Sequence, residues 1–371
     1  MHTTGNQSGS QGGGGGGADR PRGFRAAAGA RAASALGLGL VLVLVLGLSG
    51  CVVRPYAPAA PSPATAPPST AGNGLSVVTE PQQGLAPLYA LITGARSSID
   101  MTMYELNDRT AEADLAAAAA RGVRVRVVLD TNRERSSNQS AYNYLAGHGV
   151  HVVWAATGYE ATHQKTLTVD DRESAIMTLN LVTEDYSSTR DVAVTDADPA
   201  DVTAIERVFQ ADYTHSPITP GDGDDLVWSP TDSQPKLLAL INAARHSLSV
   251  ENEEMGSSTI VGALEKAARR GVKVCVTMTD SGSYTREFKA LTRAGVQVRT
   301  YTPNAPLYIH AKIVLADYGT SSAKVFVGSQ NFSTASLRRN RELGLITSRT
   351  VVLDALQPTL ASDFSQAAAW S

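Results

Sequence analysis

The stretch HQKTLTVD at residues 163–170 returns as HAKIVLAD at residues 310–317, so the pattern H-x-K-x4-D occurs twice, 147 positions apart. Each copy is followed by a polar element that ends in asparagine, MTLN at Asn180 and GSQN at Asn331. Eleven residues beyond each asparagine lies a carboxylate, Asp191 or Glu342. Because histidine, lysine, asparagine and an acid recur in one order, the pattern predicts a site that needs two of each group.

The sequence around the motifs repeats as well. LYALI at 88–92 matches LLALI at 237–241, and RGVRV at 121–125 matches RGVKV at 270–274, both 149 positions apart. The folded chain is therefore predicted to be two copies of one unit of roughly 145 residues, a period too long for a solenoid. We assign the first half to residues 75–221 and the second to residues 222–371.

Apolar, β-branched segments alternate with helical patterns through both halves, which indicates an α/β fold. Near-continuous apolar strands between helices predict sheets covered on both faces, hence two α/β/α sandwich units packed with pseudo-two-fold symmetry. In the first half the strand candidates are 99–104, 123–129, 150–154, 166–169, 175–179 and 192–195, and the helices about 84–96, 108–121, 138–147 and 199–213. In the second half the strand candidates are 248–251, 272–278, 296–301, 312–315, 324–327 and 343–347.

Residues 1–50 have the pattern of a bacterial lipoprotein signal. Four arginines between 20 and 31 precede an apolar run, 32–48, and the small residues ahead of Cys51 are typical of a lipobox. We predict cleavage before Cys51, lipidation of that cysteine, and anchoring to the outer face of the cell membrane. An uncleaved anchor and a freely released protein are the alternatives. The Pro-, Ala-, Ser- and Thr-rich segment 51–74 is predicted to be an extended tether.

The charge of the chain bears on its partners. Beyond residue 50 it keeps 28 of its 32 basic and 34 of its 35 acidic residues, a formal charge of −6. Nucleic-acid binders usually carry a basic surface, so nucleic acid is not the favoured partner. Arg338, Arg339 and Arg341 form a short basic run, which we interpret as a solvated face or an ion-pair cluster rather than a phosphate patch.

The paired motifs, each trailed by G-S-x-N or a variant, resemble those of the phospholipase D superfamily, and the resemblance covers about residues 75–370. It implies that both motifs meet at the interface between the halves and form a single, metal-independent active site. It also implies that His163 is the nucleophile and His310 the general acid. Asp170 and Asp317 close the motifs and are expected to be structural. No metal ligand set or cofactor motif occurs: Asp130, Asp280, Glu253 and Glu254 are read as loop caps or carboxylates at the edge of the site.

The chemistry of phosphodiester cleavage fits these residue types. Cations and hydrogen-bond donors are needed around the non-bridging oxygens, a role predicted for Lys165, Lys312, Asn180 and Asn331, with hydroxyls from Thr178 and Ser329. One neutral imidazole attacks phosphorus while a second, protonated one donates to the departing alcohol. Asp191 and Glu342 are expected to orient the histidines through the outer ring nitrogen. Met177 departs from the glycine that is usual in the family, which weakens the predicted phosphate contact of the first half.

The leading functional expectation is a phospholipase D that hydrolyses the head-group phosphodiester of a phosphatidylcholine-like glycerophospholipid through a phosphohistidine, with transphosphatidylation as a second outcome. Export and membrane tethering favour this lipid substrate, and we expect a monomer. The alternatives are a nucleic-acid phosphodiesterase and a cardiolipin synthase-like phosphatidyltransferase. A non-catalytic phosphate-binding lipoprotein is disfavoured because both sets of histidine, lysine, asparagine and acid are complete.

Overall fold

The computed structural model describes residues 74–371, and within this range each half of the sequence builds one large mixed sheet. The predicted signal sequence, Cys51 and all of the predicted tether except Gly74 lie outside the described residues. No helix within the described range is both long and apolar enough to cross a bilayer.

The first half alternates strands and helices as the sequence pattern predicts. Its elements are β1 (Leu75–Glu80), α1 (Ala86–Gly94), β2 (Ser98–Met103), β3 (Leu106–Asn107), α2 (Arg109–Ala120), β4 (Arg124–Leu129), α3 (Arg135–Gly147), β5 (His151–Trp154), β6 (Thr166–Val169), β7 (Glu173–Met177), β8 (Leu181–Val182), β9 (Thr189–Asp196) and α4 (Pro199–Tyr213).

The second half repeats this order with small differences. Its elements are β10 (Leu226–Ser229), α5 (Ser233–Ala243), β11 (Ser247–Glu251), α6 (Ser258–Arg269), β12 (Lys273–Thr279), α7 (Thr285–Arg293), β13 (Gln297–Tyr301), β14 (Tyr308–Ile309), β15 (Ile313–Ala316), β16 (Lys324–Gly328), α8 (Thr334–Arg338), β17 (Glu342–Thr347), α9 (Thr350–Gln366) and β18 (Ala368–Ala369).

The two sheets have the same strand order. The first runs β1-β9-β7-β6-β2-β4-β5 and the second β10-β17-β16-β15-β11-β12-β13, extended by β18. Three successive strands pair in parallel in each sheet, β2, β4 and β5 in the first and β11, β12 and β13 in the second. The other neighbours in these two orders are antiparallel, while β14 of the second half adds to β9 in parallel. The predicted duplication of one α/β unit is therefore confirmed by the topology.

Most predicted strands occur with shifts of one to three residues at their ends. The sequence pattern missed β1 and β10, which lie at the edge of each sheet next to β9 and β17. β10 has only four residues, and both strands follow polar or proline-rich sequence, which hides them from a pattern search. Both matter for the site because β1 pairs Glu80 with Asp191, and β10 pairs Ser229 with Glu342.

Capping residues explain where equivalent helices begin and end. The Asp108 side chain accepts hydrogen bonds from the backbone N–H groups of Thr110 and Ala111 at the start of α2, and Ser257 caps α6 by accepting from Ile260. Both helices end before a glycine with positive φ, Gly122 and Gly271, where a side chain would be strained.

Within the described residues the core consists of one large apolar cluster in each half, a third large cluster that the halves share, and a small cluster of Val128, Ala155 and Phe209. The shared cluster contains Ile176 and Val194 from the first sheet beside Ile313 and Leu343 from the second, together with Trp228. Every residue of β2, β6 and β9 is buried, so these strands are covered on both faces as predicted. The shared cluster fixes the two sheets against each other and so determines how the two motifs face.

Candidate active site

The two motifs meet at the interface, and each histidine pairs with the acid of the opposite half. His163 Nδ1 lies 2.8 Å from Glu342 Oε2. His310 Nδ1 lies 2.8 Å and 3.0 Å from the two carboxylate oxygens of Asp191. The sequence predicted that an acid orients each histidine but not that the pairs cross between halves.

Backbone pairing produces the crossing. The segment before His163 forms a parallel bridge between Thr162 and Arg341, and the His163 N–H donates to the Arg341 carbonyl at 2.9 Å. In the same way β14 pairs with β9, and the His310 N–H donates to the Arg190 carbonyl at 3.2 Å. Each histidine is therefore placed by the residue that precedes its partner acid.

The two arginines that precede the acids make a second reciprocal set of contacts. Arg190 forms a two-pronged ion pair with Asp363 on α9, with contacts of 2.5 Å and 3.0 Å. Arg341 pairs with Asp212 on α4, with contacts of 2.9 Å and 3.0 Å. Both guanidinium groups are buried, and each pair joins one half to the other. Sequence reasoning missed this set, although the 151-residue offset of the asparagines also relates these arginines and aspartates.

The predicted basic run separates into individual contacts. Arg339 Nε donates to Glu160 at 2.5 Å, Arg338 Nε donates to Gln234 at 2.5 Å, and Arg341 is the buried member described above. The interpretation as a local ion-pair cluster is confirmed for Arg339 and Arg341.

Both motif lysines are buried beside their histidines. Lys165 Nζ donates to the His163 carbonyl at 2.7 Å and lies 4.7 Å from the ring centroid of Tyr104. Lys312 Nζ donates to the His310 carbonyl at 2.5 Å and to Glu253 Oε2 at 3.1 Å. The two ammonium groups thus hold positive charge next to both imidazoles.

The two asparagines also lie at the site. Asn331 Nδ2 donates to Glu253 Oε2 at 3.1 Å and to Glu254 Oε1 at 3.3 Å. Asn180 lines a small cavity together with Asp191 and Glu80. The buried Oδ1 atoms of both asparagines lack a hydrogen-bond partner among the described residues, which is unusual for groups this deep in a protein.

The predicted phosphate contacts of Thr178 and Ser329 need correction. Neither side chain is exposed, and the Thr178 hydroxyl donates to Asp191 Oδ1 at 2.5 Å while accepting from the Val192 N–H at 2.8 Å. The Ser329 hydroxyl instead lies between the backbone groups of Leu343, at 3.2 Å and 3.3 Å. Because both hydroxyls are already engaged, their role is to hold β9 and β17 rather than to bind phosphate.

Two residues that the sequence did not single out hold the second acid. The Ser336 hydroxyl donates to Glu342 Oε1 at 2.6 Å, and Asn340 Nδ2 donates to the same atom at 3.0 Å. With Oε2 facing His163, both oxygens of Glu342 are fixed. Thr178 performs the equivalent task for Asp191 in the first half.

Met177 replaces the family's glycine without closing the site. In the second half a Cβ at Gly328 would lie 2.5 Å from the Gln330 side chain and 2.5 Å from the Gly344 Cα, so glycine is required there. In the first half Met177 pairs with Ala193 and belongs to the apolar core, and Leu179 stands where the second half has Gln330. Met177 and Leu179 thus change the packing at the positions of Gly328 and Gln330, while Asn180 still lies beside Asp191.

Asp170 and Asp317 occupy matching structural positions. The Asp170 carboxylate accepts from the backbone N–H groups of residues 96–98, at 2.7–3.1 Å, and Asp317 accepts from those of residues 245–247, at 2.7–3.1 Å. Although partial burial acts against it, this ring of donors lowers the pKa of Asp170 to about 2 and also lowers that of Asp317. Each carboxylate thus fastens the turn that leads into β2 or β11.

Burial and charge give the site its protonation pattern. Burial and the charge of Lys165 lower the pKa of His163 to about 4, although Glu342 acts in the opposite direction. Burial alone would raise the pKa of Glu342, but His163, Lys165 and the Ser336 hydroxyl hold it below its usual value. At neutral pH the structure therefore combines a neutral imidazole with an ionised Glu342.

Glu80 adds a buried carboxyl that sequence analysis did not identify. It is opposite Asp191 in the β1–β9 pairing, and neither of its oxygens has a hydrogen-bond partner among the described residues. Burial and the nearby Asp191 raise its pKa to about 7, with Arg190 opposing the shift. The second half has Ser229 at the matching position.

The position that follows the first core strand differs between the halves. Tyr104 and Glu253 are 149 positions apart, the same offset as the flanking repeats. The Tyr104 ring meets the His163 ring edge-on at 4.5 Å, whereas Glu253 Oε2 lies 3.5 Å from His310 Nε2. The 149-residue offset could have identified these two residues as equivalent positions. Glu253 lies beside His310, as predicted for a carboxylate at the edge of the site.

Acidic residues elsewhere act mainly as caps. Asp130 accepts from the N–H groups of Arg133, Glu134 and Thr162, and Asp280 accepts from Gly282 and from the Trp370 ring N–H. Within the described range Asp100, Asp171 and Glu206 are the group of acids close enough to share a cation. Because Arg126 already holds both oxygens of Asp100, at 2.5 Å and 2.7 Å, this group is an ion-pair cluster away from the two motifs.

Two imidazoles, each held by a buried carboxylate and flanked by a buried ammonium and an amide, define an enzyme site for phosphodiester chemistry. The sequence comparisons agree with this class. The family described as "Cardiolipin synthase, PLD-like domain" matches residues 88–213 and 237–366, one match in each half. The chain belongs to this family of the phospholipase D superfamily.

Two sequence relatives are cardiolipin synthases. Cardiolipin synthase A of Pseudomonas entomophila strain L48 is 26% identical over 346 residues, covering 81% of this chain and 70% of the relative. Cardiolipin synthase A of Pseudomonas putida strain GB-1 is also 26% identical, over 345 residues with the same coverage.

Solved structures share the fold at low sequence identity. Phosphatidylserine synthase of Haemophilus influenzae Rd KW20 is similar with a TM-score of 0.60 and 12% identity, covering 79% of this chain and 86% of that one. Polyphosphate kinase of Porphyromonas gingivalis is similar with a TM-score of 0.61 and 15% identity over 78% of this chain. This chain spans half the length of the kinase, and both similarities establish the fold alone.

Proposed function

We propose that this protein is a phosphatidyltransferase that moves the phosphatidyl group of one phospholipid to the hydroxyl of another through a phosphohistidine on His163. The observation that carries the proposal is the pair of crossed contacts, His163 with Glu342 and His310 with Asp191, each at 2.8 Å. Each contact holds Nδ1 and so turns Nε2 to the reacting group.

The surroundings of the two histidines support different roles. His163 is buried beside Lys165, and its lowered pKa of about 4 keeps the ring neutral and nucleophilic at neutral pH. His310 has a carboxylate near each ring nitrogen, Asp191 at Nδ1 and Glu253 at Nε2. Carboxylates on both sides of one imidazole suit the donor role of a general acid better than the role of a nucleophile.

The proposed reaction has two displacements. His163 Nε2 attacks phosphorus, the bond from phosphorus to the head-group oxygen breaks, and that oxygen takes the Nε2 proton of His310. The acceptor hydroxyl then returns a proton to His310, its oxygen attacks phosphorus, and the phosphorus–nitrogen bond breaks. Lys165, Lys312, Asn180 and Asn331 would hold the non-bridging oxygens.

Transfer has more support than the hydrolysis that led the sequence expectations. The family description and both relatives name cardiolipin synthase. Formation of cardiolipin requires the hydroxyl of a second lipid, rather than water, as the acceptor of the phosphatidyl group. Water at the same position gives phosphatidic acid, so hydrolysis is the second candidate. Nucleic-acid cleavage has less support because the chain beyond residue 50 is acidic, and the arginines of its short basic run, Arg338, Arg339 and Arg341, are engaged in local contacts.

We also propose that the enzyme acts at the outer face of the cell membrane, held there through a lipid on Cys51. The support is the sequence pattern of residues 20–51, which lies outside the described residues. Metabolic labelling with a fatty acid tests this proposal, since Cys51→Ser should abolish labelling while leaving the folded part unchanged.

The test of the function uses the full chain in vesicles that contain phosphatidylglycerol. We expect diphosphatidylglycerol and free glycerol from the wild type, and none from His163→Ala, with the exposed His151→Ala as matched control. An alkaline quench should trap phosphate on His163. Release of glycerol with phosphatidic acid as the only lipid product would establish hydrolysis, and plasmid cleavage without lipid turnover would overturn the proposal.

A further inference from the structure

A buried carboxyl adjoins the pair formed by His310 and Asp191. Glu80 is 2% exposed and stands opposite Asp191 in the antiparallel pairing of β1 with β9. Directly opposed residues of such a pairing project from the same face of the sheet, with their Cβ atoms roughly 4.5–5.5 Å apart. Because Asp191 also contacts His310 Nδ1 at 2.8 Å, two carboxyls lie in sequence next to one imidazole.

The nearest cation does not pair with the Glu80 carboxyl. Arg190 donates through Nε and Nη2 to Asp363, at 2.5 Å and 3.0 Å. Its Nη1 donates to the backbone carbonyl of Glu80 and to Gln82 Oε1. Neither carboxyl oxygen of Glu80 has a hydrogen-bond partner among the described residues. Burial and the charge of Asp191 therefore raise the pKa of Glu80 to about 7, although Arg190 opposes the shift.

A small cavity connects Glu80 with Asp191 and Asn180. Asn180 Oδ1 is buried and likewise has no hydrogen-bond partner among the described residues. The cavity is just large enough for one water molecule, and buried waters typically satisfy polar groups of this kind. A water at this place accepts a hydrogen bond from the neutral Glu80 carboxyl and donates to Asn180 Oδ1 and to Asp191. Asp191 can accept it because a carboxylate offers about four acceptor sites.

The other titratable groups around Glu80 leave its charge unbalanced. They are Asp185 and Tyr186 at the cavity, Arg190, Asp363 and Glu251 on the side of the second half, and His310 beyond Asp191. Arg190 and Asp363 neutralise each other, and burial with the charge of Asp363 raises the pKa of Glu251. Ionisation of Glu80 thus adds a second negative charge beside Asp191, which the His310 ring can balance by holding a proton.

The second half has a serine at the matching position. Ser229 stands opposite Glu342, and the groups that hold Glu342 Oε1 are neutral, the Ser336 hydroxyl and the Asn340 amide. A second carboxyl at this place would favour a proton on His163, which a nucleophile must not carry. The acid therefore adjoins the histidine that donates a proton in the proposed reaction, and a serine adjoins the one that attacks.

We infer that Glu80 is a positioning residue for the general acid: its neutral carboxyl donates to Asp191 through one buried water, and its ionised form makes His310 hold its proton more tightly. The inference rests on the proposed function and adds a residue to the same site. Because the general acid must be protonated in the first displacement, ionised Glu80 extends this step to higher pH.

The test is the pH dependence of the first displacement in the full chain. Rapid-quench measurements follow glycerol release from phosphatidylglycerol vesicles between about pH 6 and 10, a range that brackets the loss of a histidine proton. Glu80→Gln keeps the size of the side chain and cannot ionise, so we expect its rate to fall at a pH about one unit lower than in the wild type. On a p-nitrophenyl phosphodiester, whose leaving group needs no proton, the variant should follow the wild-type profile.

Two further variants serve as controls. Asp196 is a second buried acid on β9, and burial with the nearby Asp201 raises its pKa to about 7, but it lies five residues beyond Asp191. Asp196→Asn should therefore keep the wild-type profile on both substrates. Glu80→Ser introduces the residue that the second half has at the matching position, and it should reproduce the shift of Glu80→Gln. Infrared spectra at about pH 6 should show less protonated carboxyl in both Glu80 variants than in the wild type.

The outcomes separate the inference from the function. Three results overturn the inference and leave the transferase intact: an alkaline loss of rate that both Glu80 variants leave in place, an equal defect on both substrates at every pH, or an equal shift in Asp196→Asn. An infrared band that the Glu80 variants do not reduce overturns it as well. Absence of glycerol release by the wild type at every pH overturns the proposed function, and the inference falls with it. Circular dichroism and thermal melting exclude a folding defect as the cause.

Discussion

Glu342 accepts a hydrogen bond from His163, a residue 179 positions earlier in the other half of the chain, at 2.8 Å. The reciprocal contact joins Asp191 to His310. Each half of the chain thus supplies a histidine to one pair and an acid to the other, and the two histidines have different neighbours on their remaining sides. The proposed division of roles follows from that difference, and five predictions test the site and the contacts that support it.

A substrate with an activated leaving group should distinguish the role of the His310–Asp191 pair from that of the His163–Glu342 pair. Asp191→Asn and Glu342→Gln should each lower kcat on phospholipid by about 10²–10⁴-fold, because the imidazole loses its orienting acceptor. A p-nitrophenyl phosphodiester needs no proton on its leaving group. On this substrate the first displacement should reach nearly the wild-type rate in Asp191→Asn, whereas it should stay slow in Glu342→Gln. Stopped-flow release of p-nitrophenolate measures this. Equal defects of both variants on both substrates would contradict the assignment of His163 as nucleophile.

The pH dependence of the first step should follow His163. Because its pKa is lowered to about 4, the ring remains neutral down to that pH, and formation of the phosphohistidine from the activated diester should lose rate only near pH 4. An acid limb close to pH 6.5, the ordinary value for histidine, would show that another group controls the step.

The same shift affects stability with a defined sign. Between about pH 6.5 and 4 the unfolded chain binds a proton on His163 that the folded chain does not, so folding stability falls as pH decreases through this window. Urea unfolding at several pH values should show a steeper loss for the wild type than for His163→Asn. Parallel curves would mean that His163 titrates normally in the folded state.

Breaking one buried cross-half ion pair should be costly. Arg341→Met leaves Asp212 without its main partner and should lower the free energy of unfolding by about 3–5 kcal/mol, whereas Arg341→Met combined with Asp212→Leu should recover most of the loss. Arg269→Met, which removes an exposed pair with Glu265, should cost less than about 1 kcal/mol. Urea titration measures all three, and a double variant as unstable as the single one would show that the pair is not the source of the effect.

The motif aspartates should affect folding rather than chemistry. Asp170→Asn should destabilise the protein by about 1–2 kcal/mol at neutral pH, since a carboxylate that accepts several N–H groups is lost, while kcat of the remaining folded enzyme stays within about twofold. The pKa of Asp170 is lowered to about 2, so its contribution is complete above about pH 4 and disappears as pH falls toward 2. A large fall in kcat at unchanged stability would instead assign Asp170 to the reaction.

The sequence predicted the duplicated α/β unit and the main site residues because these depend on local pattern. Alternating strands and helices and the repeated order of His163, Lys165 and Asn180 are visible in one dimension. The crossed pairing cannot be predicted from the sequence, because each acid follows the asparagine of its own half at a fixed distance. Only the pairing of β14 with β9 shows that Asp191 contacts the histidine of the other half. The hydroxyls of Thr178 and Ser329 were misassigned for a related reason, since residue type does not reveal which face of a strand a side chain occupies.

Crossing has a consequence for how such a chain can be divided. A single half holds a histidine with no acid and an acid with no histidine, so it cannot complete one catalytic pair by itself. Two separately synthesised halves should therefore be inert alone and active only after association, and two copies of the same half would satisfy the same geometry as a symmetric dimer. The polypeptide therefore corresponds to a dimer whose two subunits are joined in one chain. Its halves differ at equivalent positions of the site, where the first half has Tyr104 and the second has Glu253.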